Sequence, residues 1–200
     1  MDISKIFSIL AGVFMFLGYV LYDKEIFLGR CKPNVISWSL WTMTSTINLA
    51  SYFAVTGDIM KISLSVVSSF FCIVTLIIAI AKKNCKPITS YEKCTLGIVL
   101  TSLVAWYIFK SSLCANVIVQ FATIIAFVPT YQNAWKTPSN ENLTAWIIFT
   151  LSFVMLLVTV SLRWNGQIES FIYPILGVIL HTIVVAIIIY SRKMKSKLLK

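Results

Sequence analysis

Four stripes of polar residues cross stretches of sequence that are otherwise apolar. Trp38, Trp41, Ser45, Asn48 and Tyr52 recur at steps of three and four, which puts them on one face of a helix. Ser65, Ser68, Cys72 and Thr75 do the same, Asn116, Gln120 and Thr123 form a shorter stripe, and Tyr173, Gly177 and His181 step by four. Polar side chains at membrane depth are costly and turn toward a bundle interior or a water-filled cavity. Amides, hydroxyls, a thiol and an imidazole offer hydrogen bonds, so a cavity that these stripes share would suit orientation of a small amphipathic solute. Bond-making chemistry finds no support: the seven acidic residues lie at the ends of apolar runs or between them, no Ser/His/Asp spacing stands out, and no glycine-rich phosphate loop is present. A single histidine without a neighbouring carboxylate or cysteine pair is not a ligand set, so neither a metal nor a cofactor is expected.

Each stripe also has a structural reading. His181 could serve an interhelical hydrogen bond, and the Ser and Cys stripe could be small residues that let helices approach closely. Asn48 and Gln120 argue more strongly for a cavity, because an amide has more hydrogen-bonding capacity to satisfy than a hydroxyl that can bond its own helix.

The elements that must position these residues follow from hydropathy. Of 200 residues, 58% are hydrophobic and 12% charged, well above the apolar share of soluble domains, and the mean hydropathy is +0.88. Runs long enough to cross a bilayer as helix occur at Ile6–Tyr22, Val35–Val55, Met60–Ala81, Thr95–Phe109, Leu113–Thr130, Leu143–Leu162 and Phe171–Tyr190. The formal charge is +10, but its carriers cluster between the runs and in the tail "SRKMKSKLLK" rather than along a soluble face, so nucleic acid is not an expected partner. Four Lys and Arg residues fall on one side of a seven-span arrangement and thirteen on the other. Positive charge collects in the cytoplasm, which puts the N-terminus outside and the C-terminus inside, in a plasma membrane of bacterial type. The five cysteines are an odd, scattered set that implies no disulfide framework.

Two signals repeat at nearly one offset. Asn34-x-x-x-Trp38 opens the second span and Asn142-x-x-x-Trp146 the sixth, 108 residues on; "TGDI" follows the second span and "NGQI" the sixth, 109 residues on. Spans one to three therefore pair with spans five to seven, and the fourth is a linker. The fold expected is an all-α integral membrane protein with seven transmembrane helices, built as two parallel three-helix bundles in a 3+1+3 plan. Its parts are residues 1–82 (first repeat), 83–110 (loop and linker helix), 111–191 (second repeat) and 192–200 (basic cytoplasmic tail).

The segment "FVPTYQNAWKTPSNENLTAW" resembles the signature of the SWEET and PQ-loop transporter superfamily, and "LYDKEIFLGRCKPNVISW" is a more degenerate copy. Thr130 stands where the family's glutamine would be, and the first copy has no proline at the end of span one. The resemblance implies a facilitator with a pathway between two bundles and alternating access aided by prolines. Trp41, Ser45, Asn48, Cys72, Gln120 and His181 are the expected solute-binding residues, and Trp38, Pro129, Trp146 and Pro174 the expected gate or hinge. Partners are lipid and a small-molecule solute such as a sugar or amino acid, with a homo-oligomer left open. A vitamin-precursor carrier of the PnuC type and a non-transporting membrane receptor or assembly protein are the other readings.

Overall fold

The computed structural model describes residues 2–31, 35–83 and 87–198. Lys32, Pro33 and Asn34 of the first repeat signature lie outside these, as does Cys85. Seven α-helices follow in order: α1 Ile3–Phe27, α2 Val35–Thr56, α3 Ser63–Ala81, α4 Ser90–Phe109, α5 Ser112–Lys136, α6 Leu143–Leu162 and α7 Ile172–Leu198. Short 3-10 turns, Pro138–Asn140 and Ile168–Phe171, precede α6 and α7, and no strand occurs among the described residues.

The helix starts are fixed by side chains that satisfy amides the helix itself leaves free. Asp2 accepts from the Ser4 amide, Ser111 from Cys114 and Asn142 from Ala145. On α4 the cap is reciprocal. Thr89 accepts from the Glu92 amide while Glu92 accepts from the Thr89 amide, so the helix begins at Ser90, five residues ahead of the expected Thr95. The helix α6 has the expected bounds, and α7 runs on into the basic tail. Gly57 closes α2 with φ +59°, a left-handed position that suits glycine.

Six helices, α1 and α3 to α7, are long and apolar enough to cross a membrane. The chain is thus all-helical, with the apolar helices of a multi-pass membrane protein. The helix α2 is not among the six, although its 22 residues span about 33 Å. Serines and threonines dilute its hydropathy, yet several bond back to carbonyls one turn away: Ser39 to Val35, Thr42 to Trp38, Thr44 to Leu40 and Thr46 to Thr42. Those hydroxyls make no demand on a neighbour.

The fifth element departs from expectation beyond Thr130, where the apolar run ends just after Pro129. Pro129 lies inside α5, which continues for two turns to Lys136. Proline removes only the one bond to the Ile125 carbonyl, and beyond it Trp135 stacks on Tyr190 of α7 at 5.7 Å while Tyr131 donates to the Leu180 carbonyl. These contacts hold the extension.

Packing follows a regular scheme. The helix α3 contacts both α1 and α2, and α7 contacts both α5 and α6. Between these groups α1 packs on α6 and α2 on α5, while α4 lies against α5 and α2.

A candidate binding cavity between the helix groups

A cavity of about 580 Å³ opens among the seven helices, each of which contributes to its lining. Its outer end is bordered by the exposed Pro87, Thr89, Lys136 and Asn140, near the C-termini of α1 and α5 and the N-terminus of α4. Its inner end reaches the partly buried Tyr173 and Leu176 on α7.

Beyond Tyr173 the structure is closed. The Tyr52 hydroxyl donates to the Ser170 carbonyl at 2.6 Å. Arg163 then bridges Asp58 at 2.6 Å and Asp2 at 3.2 Å, and donates to the Ser4 hydroxyl at 3.0 Å. Lys61, only 1% exposed, reaches Asn165 Oδ1 at 3.4 Å. Burial works upward on the Asp58 carboxyl, but the hydrogen bond and charge of Arg163 outweigh it and hold the group below the usual carboxylate range. Because the folded value is depressed, the stabilisation is present above the ordinary carboxylate value and is lost as pH falls through the folded value. A thermal-unfolding series across that window should show the midpoint fall in the unaltered protein and a flatter profile in Arg163→Gln. Equal slopes would remove Asp58 as the origin.

All six expected solute-binding residues line the cavity: Trp41, Ser45, Asn48, Cys72, Gln120 and His181. So do Trp38, Pro129 and Trp146. Pro174 does not. It sits in the first turn of α7, where its missing N–H needs no intrahelical partner.

The polar end of the cavity is an amide cluster. Asn48 Oδ1 accepts from Asn116 Nδ2 at 3.1 Å and from Gln120 Nε2 at 2.6 Å, and Asn116 Nδ2 also reaches Ser51 Oγ at 3.1 Å. Both donors being spent on one oxygen fixes which way each amide points. Gln120 Oε1 is left buried without a partner.

The remaining walls are aromatic. Tyr19 lies 6.3 Å from Trp38 and 5.0 Å from Phe149. Phe127, 108 residues after Tyr19, lies 6.3 Å from Trp146 and 4.8 Å from Trp41. The two sets correspond residue for residue at that spacing. The Tyr19 hydroxyl bonds Cys72 at 3.1 Å and Ser68 at 3.3 Å, whereas Phe127 meets the His181 ring at 5.1 Å. His181 Nδ1 bonds the Gly177 carbonyl of its own helix at 2.8 Å, and its ring lies 4.7 Å from Phe153. Two glycines admit the rings that face them: a Cβ on Gly18 would fall 2.5 Å from Phe149, and one on Gly177 would overlap Phe153.

Sequence reasoning passed over Glu141 and Glu92, which also line the cavity and are buried. Glu141 accepts from Asn133 Nδ2 at 2.7 Å and Trp146 Nε1 at 2.9 Å. Burial pushes its carboxyl above the usual range, against the two hydrogen bonds, which pull it down. Glu92 accepts from the Ser37 hydroxyl. An acidic residue between two apolar runs ordinarily reads as solvated, and only the T-x-x-E spacing of Thr89 and Glu92 signalled a fixed position.

Comparison with known protein families, with curated proteins and with solved structures finds no match to this chain.

Proposed function

We propose that the chain is a multi-pass membrane transporter, a facilitator that moves a small polar solute by alternating access. The observation that carries this is the cavity: a chamber lined by hydrogen-bonding and aromatic groups, open toward one end and closed at the other by Tyr52, Ser170 and the Arg163 bridges. A pore would need both ends open, and a packed structural bundle would need no chamber.

The matched ring sets and the packing of α3 and α7 within their groups support a 3+1+3 plan in which α2 is the seventh span. That plan, with the signature around Pro129, supports kinship with the SWEET and PQ-loop superfamily. In the proposed orientation the N-terminus is outside a bacterial plasma membrane and the cavity opens to the cytoplasm, where most Lys and Arg residues fall. A C-terminal reporter fusion reads that orientation directly.

Proteoliposomes holding the purified protein should take up a small metabolite saturably. His181→Ala should lower that uptake at least about tenfold, as expected for loss of a residue in a desolvated binding wall, with the thermal midpoint retained. Normal uptake in the variant would exclude this cavity as the pathway.

A further inference from the structure

The geometry points to a small organic cation, an ammonium group on a compact apolar body, as the solute of this cavity. The inference rests on the transport reading above.

The first ground is the unpartnered acceptor. Gln120 is 4% exposed and lines the cavity, and its Nε2 is committed to Asn48. Oε1 is buried beside the cavity with a lone pair and no donor among the described residues. Turning the amide over would set two oxygens against each other at 2.6 Å, because Asn48 Oδ1 is itself fixed by Asn116. A bare buried acceptor is costly until a donor arrives, and a small turn of the Gln120 side chain would offer Oε1 to an N–H or O–H of a ligand that carries one.

The second ground is charge. The Glu141 carboxyl is 6% exposed, and its partners Asn133 and Trp146 are neutral. Arg192 of α7 spends its guanidinium on the main-chain oxygens of Pro138 and Glu141. The carboxylate has no ion pair among the described residues. Glu92 adds a second carboxyl to the lining of the cavity, and the one cationic side chain among the described lining residues, Lys136, is exposed at the rim. A buried carboxylate is stable only when paired or neutralised, and the cavity is where a counter-charge can enter.

The third ground is the faces between these points. Trp41, Phe127, Trp146, Phe149 and Phe153 surround the space, and aromatic faces attract cations, most strongly where water is excluded. An anion would meet carboxylates and ring faces with no deep cation among the described residues to receive it. A sugar would satisfy Gln120 but leave Glu141 without a counter-charge.

Thermal unfolding of the purified full chain tests this with tetramethylammonium, n-butylammonium and choline, against 3,3-dimethylbutan-1-ol, the neutral isostere of choline, and glucose. At least one ammonium ion should raise the midpoint by several degrees, since a ligand that binds only the folded state stabilises it, while the isostere and glucose leave it in place. Glu141→Gln should weaken the ammonium roughly thirtyfold, as loss of one partner of a buried charge pair does. No shift with any ammonium ion, an equal shift with the isostere, or unchanged binding to Glu141→Gln would overturn the proposal. If the variant does not fold, the choline and isostere pair on the unaltered protein decides alone. Saturable uptake of glucose without ammonium binding overturns the cation and keeps the transporter. Ammonium binding without uptake in proteoliposomes keeps the cation site and overturns the transporter.

Discussion

Gly177→Ala should cost about 2 to 3 kcal/mol of stability and lower the thermal midpoint by several degrees, the range seen when a packed interior is overfilled. The added methyl would overlap the Phe153 ring, which itself is buried between Tyr173 at 5.4 Å and His181 at 4.7 Å and has little room to retreat. Helix propensity works in the opposite direction, since alanine is favoured over glycine by about 1 kcal/mol, so a measured loss would report the collision. Phe153→Leu in the Gly177→Ala background should recover more than half of the loss, and the coupling in the double-mutant cycle should exceed about 1 kcal/mol. Additive effects would mean that the ring moves away freely. Because the ring's way out leads into the cavity, the single variant should also lose uptake.

Asn48→Leu should cost stability and solute binding together. The side chains are close in size, so the effect isolates hydrogen bonding. Leucine leaves Gln120 Nε2 without its acceptor and Asn116 with Ser51 alone. Leaving a buried donor unsatisfied costs about 1 to 3 kcal/mol, and interhelical hydrogen bonds in membrane proteins fall toward the lower part of that range. A loss of about 1 to 2 kcal/mol, with abolished solute binding, is expected. Adding Gln120→Leu should restore stability without restoring binding, because both members of the pair are then apolar. Stability unchanged in the single variant would show that Gln120 finds another acceptor.

The sequence carried more of the cavity than of its details, for physical reasons visible in particular residues. Periodicity marks faces, so the stripes of Asn48 and Gln120 were legible, but which amide meets which depends on helix rotation and separation, and periodicity is silent there. Hydropathy marks α6 well because its ends are abrupt, with Asn142 as cap and Arg163 beyond Leu162. It placed the start of α4 late because "TSYEK" is polar, although its capping spacing could have been read. It ended the fifth run at Thr130, just past Pro129, where contacts with α7 outweigh the loss of one helical bond. The 108-residue offset related positions but not volumes: it set Trp41 beside Phe149 in sequence space, yet nothing in it disclosed that Gly18 makes room for that ring. Glu141 stayed hidden because its burial is created by Trp146 and by a 3-10 turn that hydropathy does not register.

The amide cluster has one further consequence. Its bonds join α2 to α5, and the corresponding contact on the other side of the cavity joins α1 to α6, where Gly18 and Tyr19 meet the Phe149 ring and no such cluster occurs among the described residues. Hydrogen bonds in an apolar medium are directional and have no water to exchange with, whereas ring packing tolerates a sliding shift. The two seams are therefore mechanically unequal. In the proposed alternating-access motion, the α2 and α5 seam would resist sliding through its directed hydrogen bonds, while the α1 and α6 seam would be held by packing alone.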